Sequence, residues 1–362
     1  MRRLFSTAIR YGATGTPSAV LKQEALGPIA KTAADEVSVR FLAAPINPSD
    51  LNMIEGVYGK SPNLPAVGGN EGVAVVTEIG SAVKGLAVGD WVLPFRSGFG
   101  TWRTHATAKE NQLVKVANDI PAAYAATLSV NPATAYRMLH DFENLKPGDV
   151  IMQNGANSMV GLSVIQMARE MGVKTINIIR SDRPDTDKVT SVLANLGGDV
   201  NVTDAQVNTA VFKEILADLQ PCRLAFNCVG GDNTTEMMRC LAPGGTLVTY
   251  GGMSKRPLTV PVDLMAYKQL KLKGFWMAAW YEEKGAEAKA SMMADLVNMV
   301  RNKKLSLFYE MWDFDAFPQA LRREGDAFRM RKIVLNMDHP DRFQEHDAKS
   351  EKEYTVFDTA VM

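Results

Sequence analysis

At 362 residues, with 40 basic and 40 acidic side chains and 46% apolar residues, the chain is long enough for two cores, and its zero net charge offers nothing to draw it to nucleic acid. No apolar run approaches the length a membrane-spanning helix needs. The three cysteines, Cys222, Cys228 and Cys240, are odd in number and lack a close metal pair, which argues against a disulfide framework or a four-cysteine metal site and suits a reducing compartment.

Residues 1–23 carry Arg2, Arg3, Arg10 and Lys22 among hydroxyl and apolar side chains, and the first acidic residue is Glu24. That is the composition of a mitochondrial transit peptide, a basic tail being the alternative. Residues 24–143 then alternate short strands with glycine and proline turns. Glu36 to Ala43, Glu71 to Ile79 and Asp90 to Pro94 are the strand candidates, and a partly open β-barrel is expected.

Within that domain, Asn47 to Gly59 reads as a polar loop or short helix, with Tyr58 lying between Gly56 and Gly59. A phenol there can protrude into a cleft and donate a proton to developing negative charge; a surface or packing tyrosine has the same spacing. Asp50, Glu71 and His105 are separated polar residues with no cysteine or second histidine nearby, which argues against catalytic zinc. The stretch from Phe95 to Arg103 fits a cleft wall or a core-packed loop equally.

Asn131 to Leu139 starts a helix that reads as the bridge between domains. From 144 to 284 the pattern changes to alternating strands and helices, the signature of a doubly wound sheet. Val150 to Asn154 is a short buried strand delivering the turn Gly155-Ala156-Asn157-Ser158-Met159-Val160-Gly161 to a helix N-terminus, where unpaired N–H groups can receive a phosphate. The glycine fingerprint is incomplete, and an ordinary strand-to-helix turn reads similarly.

Further strands are expected at Thr175 to Ile179, Cys222 to Cys228 and Gly245 to Tyr250, with helices near Asp187 to Leu196, Val211 to Leu219 and Asn233 to Leu241. At the end of the second strand stand Arg180, Ser181, Asp182 and Arg183, and a guanidinium there suits a 2′-phosphate, hence NADPH. Asp182 as a shifted acidic partner for NADH is the competing reading. Gly251-Gly252-Met253 and Phe275-Trp276-Met277 follow strands at the edge where ligands of such sheets lie. Residues 285–337, with a helix from Gly285 to Arg301 and a strand near Arg331 to Leu335, would rejoin the barrel, and 338–362 is a polar, mostly acidic stretch that reads as a disordered tail.

Several motifs recur together. They are Ala44-Pro45-Ile46-Asn47-Pro48-Ser49-Asp50, Pro65-Ala66-Val67-Gly68-Gly69-Asn70-Glu71-Gly72, Gly100-Thr101-Trp102-Arg103, Asn131-Pro132, Asn227-Cys228-Val229-Gly230-Gly231, Thr249-Tyr250-Gly251-Gly252-Met253 and Gly274-Phe275-Trp276. In these the chain resembles zinc-independent members of the medium-chain dehydrogenase/reductase superfamily, and within it the mitochondrial trans-2-enoyl-thioester reductases. The resemblance implies a GroES-like barrel beside a Rossmann domain.

It also places Tyr58 at the family's catalytic tyrosine, and Asn131, Asn157, Ser158, Met159, Val160, Arg180, Arg183, Tyr250, Gly251, Gly252, Met253, Phe275, Trp276, Met277 and Lys332 around NADPH. The implied reaction delivers hydride to C3 and a proton to C2 of a trans-2-enoyl thioester on acyl carrier protein or coenzyme A, in the mitochondrial matrix, by a homodimer joined through sheet edges. Arg322, Arg323, Arg329 and Arg331 are candidates for a carrier-facing basic surface, or for an ordinary charged face. Met159 and the extra residue between Arg180 and Arg183 depart from the family pattern. An NADPH-dependent quinone or small enone reductase is the rival function.

Overall fold

The computed structural model describes residues 5–29, 31–207 and 209–337. They form two units. One contains the chain up to Val130, then Ala278–Arg301 and 308–337; the other contains Asn131–Met277 and Asn302–Leu307.

The first unit holds β1 (Phe5–Tyr11), β2 (Lys22–Pro28), β3 (Glu36–Pro45), β4 (Ala66–Val67), β5 (Val73–Ile79), β6 (Trp91–Pro94), β7 (His105–Lys109) and β8 (Leu113–Val116). The second holds β9 (Val150–Asn154), β10 (Lys174–Ile179), β11 (Val200–Thr203), β12 (Leu224–Asn227), β13 (Thr246–Thr249) and β14 (Lys271–Gly274). Two more, β15 (Tyr309–Asp313) and β16 (Lys332–Asn336), return to the first.

In the first unit the strands run β2-β1-β4 in one sheet and β15-β16-β3-β5-β6-β8 in another, with β7 paired to β3. The long strand β3 is the spine, because its alternate residues Val37, Val39 and Phe41 lie in the core with Ile9, Trp102 and Phe314. Trp102 is fully enclosed and donates from Nε1 to the Pro45 carbonyl at 3.0 Å. The Phe95–Arg103 stretch is therefore core-packed at Trp102.

The amino-terminal expectation needs correction. Residues 5–23 are not separate from the fold: β1 pairs with both β2 and β4, and Ile9 donates its N–H to Trp102 O at 2.9 Å while its carbonyl accepts from Gly68. Ile9 is 0% exposed, a burial that contributes about 1.5–3 kcal/mol. A leader ending at Gln23 would remove this strand, so the boundary read from basic composition alone does not hold. Residues 1–4 and the polar tail, 338–362, lie outside the described residues.

The second unit is a six-stranded sheet in the order β11-β10-β9-β12-β13-β14, every pair parallel. The strand order switches between β9 and β12, running β9-β10-β11 one way and β12-β13-β14 the other, and such a switch point is where doubly wound sheets bind nucleotides. Its core joins Val150, Met152, Ile176, Ile178, Ala225 and Leu247. The unit begins at Asn131 rather than near 144, because the Asn131–Asp141 helix buries Met138 and Leu139 and packs on the Met159–Glu170 helix. It ends at Met277 rather than 284. The following helix, Met277–Arg301, is interrupted at Gly285, whose φ of 86° only glycine adopts readily.

Candidate active site

The carboxyl edge of the parallel sheet gathers most of the residues expected around a dinucleotide. Asn157, Ser158, Met159 and Val160 follow β9, Arg180 follows β10, Tyr250 to Met253 follow β13, and Phe275 to Met277 follow β14. Asn131 opens its own helix in the same unit. Tyr58 and Lys332 belong to the other unit.

The turn after β9 is tightly specified. Gly155 sits at φ +59°, and a Cβ there would meet Cys228 Sγ at 2.5 Å; a Cβ on Gly161 would meet the Ala156 carbonyl at the same distance. Ser158 is the N-cap of the 12-residue helix, accepting from Gly161 N at 3.1 Å. Gln153 Nε2 donates to Gly161 O at 3.0 Å and Asn177 Oδ1 at 2.9 Å, so strand, turn and neighbouring strand are fixed together. Met159, one of the departures from the family pattern, is 6% exposed.

A second device was not foreseen from sequence. Asn227 Oδ1 accepts from Asn154 Nδ2 at 2.9 Å, Val229 N at 3.1 Å, Gly230 N at 3.0 Å and Thr234 Oγ1 at 2.7 Å. Asn154 in turn donates to Asn233 Oδ1 and accepts from Cys228 N. The loops after β9, β12 and β13 are thereby locked, since Met253 N and Ser254 N also donate to the Cys228 and Val229 carbonyls. An asparagine ending a short buried strand, as at Asn154 and Asn227, is the sequence signal for this hub.

Beside the turn, the Tyr250 hydroxyl is buried without a hydrogen-bond partner of good geometry. Burial, then the adjacent Cys228, holds its pKa well above an ordinary phenol's; burial likewise raises Cys228. Both stay neutral at physiological pH. An orphaned donor at the carboxyl edge, a glycine cradle closed to any Cβ and a capped helix N-terminus fit a dinucleotide.

The two arginines differ. The Arg183 side chain is 1% exposed and is held by Asp185 at 2.7 and 3.0 Å; this hydrogen bond keeps Asp185 below its usual pKa. Arg180 is 54% exposed, with Asp182 at 3.9 Å. Of the two, Arg180, directly after the strand, is the exposed one.

Tyr58 lies half-buried just beyond the Pro48–Glu55 helix, its N–H donating to Asn52 O at 3.1 Å. Asp50 and Glu71, separated by twenty residues of sequence, are brought together through Asn47, whereas His105 is elsewhere, on β7. Each oxygen of Asp50 and Glu71 accepts from an N–H or hydroxyl. Donors filling every carboxylate oxygen do not fit a metal centre, and the described residues contain no grouping of three or more His, Cys, Asp or Glu able to hold one. Lys332, 7% exposed, donates to Ile46 O at 3.3 Å. Lys289 is a further buried cation, over the Tyr281 ring at 4.1 Å and donating to Pro94 O.

Of the four arginines considered for a carrier surface, Arg323 is engaged by Glu310 and Asp326, and Arg329 by the buried Glu324. Those two serve the fold of their own segment.

A barrel-containing unit and a parallel dinucleotide unit together define a medium-chain dehydrogenase/reductase. The model of the alcohol dehydrogenase GroES-like domain matches residues 33–118, and that of the zinc-binding dehydrogenases matches 160–292. The chain belongs to the family of mitochondrial enoyl-[acyl-carrier-protein] reductases. The Rattus norvegicus member is 48% identical over 333 residues, spanning 91% of this chain and 88% of its own. The Homo sapiens member is 48% identical over 331 residues, with the same coverage. Among solved structures, the mitochondrial 2-enoyl thioester reductase Etr1p/Etr2p heterodimer from Candida tropicalis is 32% identical with a TM-score of 0.84, and an Etr1p complex with NADP and crotonyl-CoA is 32% identical with a TM-score of 0.85. Each covers 92% of this chain and 100% of the other.

Proposed function

We propose that the chain reduces trans-2-enoyl thioesters to saturated acyl thioesters with NADPH in the mitochondrial matrix. The observation that carries this reading is the likeness, over 92% of the chain, to a structure holding NADP and crotonyl-CoA. No helix among the described residues is long and apolar enough to cross a membrane.

NADPH, when bound, supplies the hydride that C3 of the substrate receives. The residues of the chain do the rest. The turn 155–161 and the Asn227 hub hold the dinucleotide in register with the sheet, while Tyr250 to Met253 and Phe275 to Met277 border the nicotinamide end. Negative charge then develops on the thioester oxygen as an enolate. Tyr58 stabilises it and delivers the proton to C2, an interaction realised only as the charge forms. A reduction with 4,4-dideuterated NADPH in ordinary water tests where the hydride goes: one deuterium at C3 and none at C2 is expected, and deuterium at C2 would contradict it.

Arg180 reads the 2′-phosphate, and Arg183 with Asp185 stiffens the loop that presents it. The Arg180→Ala variant is expected to raise KM for NADPH about 10- to 100-fold while leaving NADH turnover nearly unchanged, the loss of one charge-assisted contact. Steady-state titration with both cofactors checks it.

Two copies associate through the β14 edge. This strand ends the sheet, and Val262, Met265 and Tyr267 nearby are 80%, 45% and 86% exposed, apolar surface that a second copy would cover. Sedimentation velocity should give a dimer, and Val262→Glu combined with Tyr267→Glu should shift it to monomer.

A further inference from the structure

The helix that leads to Tyr58 is anchored at its other end by a buried carboxyl group. Pro48–Glu55 begins with the Asn47 N–H donating to Asp50 Oδ2 at 2.7 Å, while the Asp50 N–H donates to the Asn47 carbonyl at 3.0 Å. The second oxygen, Oδ1, accepts from Asn70 N–H at 2.8 Å, so one carboxylate ties the helix to the loop between β4 and β5. Asp50 is 1% exposed. Around it, Asn47 Nδ2 donates to Glu71 Oε1 at 2.7 Å, Ser129 Oγ donates to Glu71 Oε2 at 3.1 Å, and Gly98 N donates to Asn70 Oδ1 at 2.7 Å.

At the far end Gly56 turns left-handed at φ 81°, and the N–H groups of Val57 and Tyr58 both donate to Asn52 O, at 2.9 and 3.1 Å. Tyr58 therefore follows the helix as one body. A helix of this length spans about 12 Å, so a tilt of about 5° at its start moves the far end by about 1 Å. Misplacement of that size at a reacting centre can slow a reaction about 100-fold.

We propose that Asp50 is a positioning residue for the reduction: by spanning the N–H groups of Asn47 and Asn70, its carboxylate sets the direction of the helix and hence the place from which Tyr58 delivers its proton. This rests on Tyr58 being the proton donor. Both partners of Asp50 are backbone donors with no lone pair to offer. The ionised carboxylate accepts from both at full strength, whereas protonation turns one oxygen into a hydroxyl, a much poorer acceptor, and loosens the N–H bonded there.

The groups facing this carboxylate are Tyr11, Glu71 and Lys332, and those in turn face Tyr281, Lys289, Glu324 and Arg329. Burial pushes Asp50 up to about 7 against the pull of the Asn47 and Asn70 N–H bonds. Burial likewise pushes Glu71 up to about 7, with the Asn47 side chain opposing and the Asp50 charge adding. Burial lowers Lys289 to about 7 and lowers Lys332, while it raises Tyr11, Tyr281 and Glu324. The two central carboxyls titrate as a pair.

The signs follow. Positioning requires the ionised form, so kcat falls as pH drops through about 7. Folding favours the neutral form: with the folded pKa raised above the unfolded value of 3.8, Asp50's contribution to stability is complete below that value and is lost as pH rises through about 7. Activity and this share of stability move in opposite directions with pH, whereas a merely structural carboxylate would move them together.

The test compares kcat for enoyl-thioester reduction from about pH 6 to about pH 8.5 in the parent, Asp50→Asn and Tyr58→Phe, with NADPH affinity and thermal midpoints alongside. The parent should lose kcat below about pH 7, approaching tenfold per unit. Asp50→Asn, whose amide can accept only one of the two N–H groups, should be about 10- to 100-fold slower at high pH with unchanged NADPH affinity and no acid limb. Its midpoint should gain on the parent's as pH rises. Should Asp50→Asn not fold, the parent profile and Asn47→Ala decide, because Asn47→Ala keeps both backbone donors on Asp50 and should keep the acid limb. A flat parent profile, an acid limb retained in Asp50→Asn, or its loss in Asn47→Ala overturns the assignment. Turnover surviving in Tyr58→Phe defeats the proton-donor reading instead; collapse in Tyr58→Phe beside an Asp50→Asn that keeps its acid limb defeats only the role given to Asp50.

Discussion

Tyr58→Phe is expected to lower kcat for enoyl-thioester reduction by about 100- to 10,000-fold, the range for loss of a positioned acid, with KM and NADPH affinity nearly unchanged. The substitution removes one oxygen and nothing else. The N–H bond from residue 58 to Asn52 O is a backbone contact, so the helix and its cap persist and thermal stability should hold. A fall in kcat without a rise in KM marks an interaction made only in the transition state. Stopped-flow single turnover, which isolates the chemical step from product release, is the measurement that checks it.

The second large effect falls on stability. Asn227→Ala leaves the Asn154 amide, two backbone N–H groups and the Thr234 hydroxyl without their shared acceptor, in a site where Asn227 is 0% exposed. Each buried group left unsatisfied costs about 1–3 kcal/mol, and the four are not additive, so a loss of about 3–4 kcal/mol is expected. Urea unfolding checks the figure. NADPH affinity should fall in the same variant, because the loops after β9 and β12 lose the side chain that holds them in register; affinity equal to the parent's would contradict the hub's role at the site.

The parallel sheet was legible because its central strands, β9, β10, β12 and β13, are buried on both faces and mostly apolar or β-branched, and its helices carry their own periodicity. Thr175 to Ile179 and the Gly155–Gly161 turn could be read directly from those patterns. Strand β11 escaped because Val200–Thr203 interleaves asparagine and threonine with its valines and is only partly buried, and β15 escaped because Tyr309–Asp313 mixes acidic and aromatic residues. Basic composition misled at β1, where Arg10 faces Glu24 at 3.2 Å on the outside while Ile9 is in the core.

Around the candidate site, Arg180 and Arg183 could not be told apart by sequence. Their difference is one of burial, which depends on how the loop folds around Asp185. Asp50 and Glu71 looked like isolated polar residues because what joins them, the Asn47 side chain and two backbone N–H groups, is a tertiary arrangement with no periodic trace. Tyr58 was only one reading of a tyrosine between glycines until the family likeness singled it out.

The central claim is that this chain reduces enoyl thioesters in preference to quinones. The direct measurement is kcat/KM for NADPH oxidation with a trans-2-hexenoyl thioester and with a simple quinone, on the same preparation. The thioester should be favoured by at least about 100-fold, as a site built to stabilise a thioester enolate requires. Turnover confined to the quinone would contradict the account.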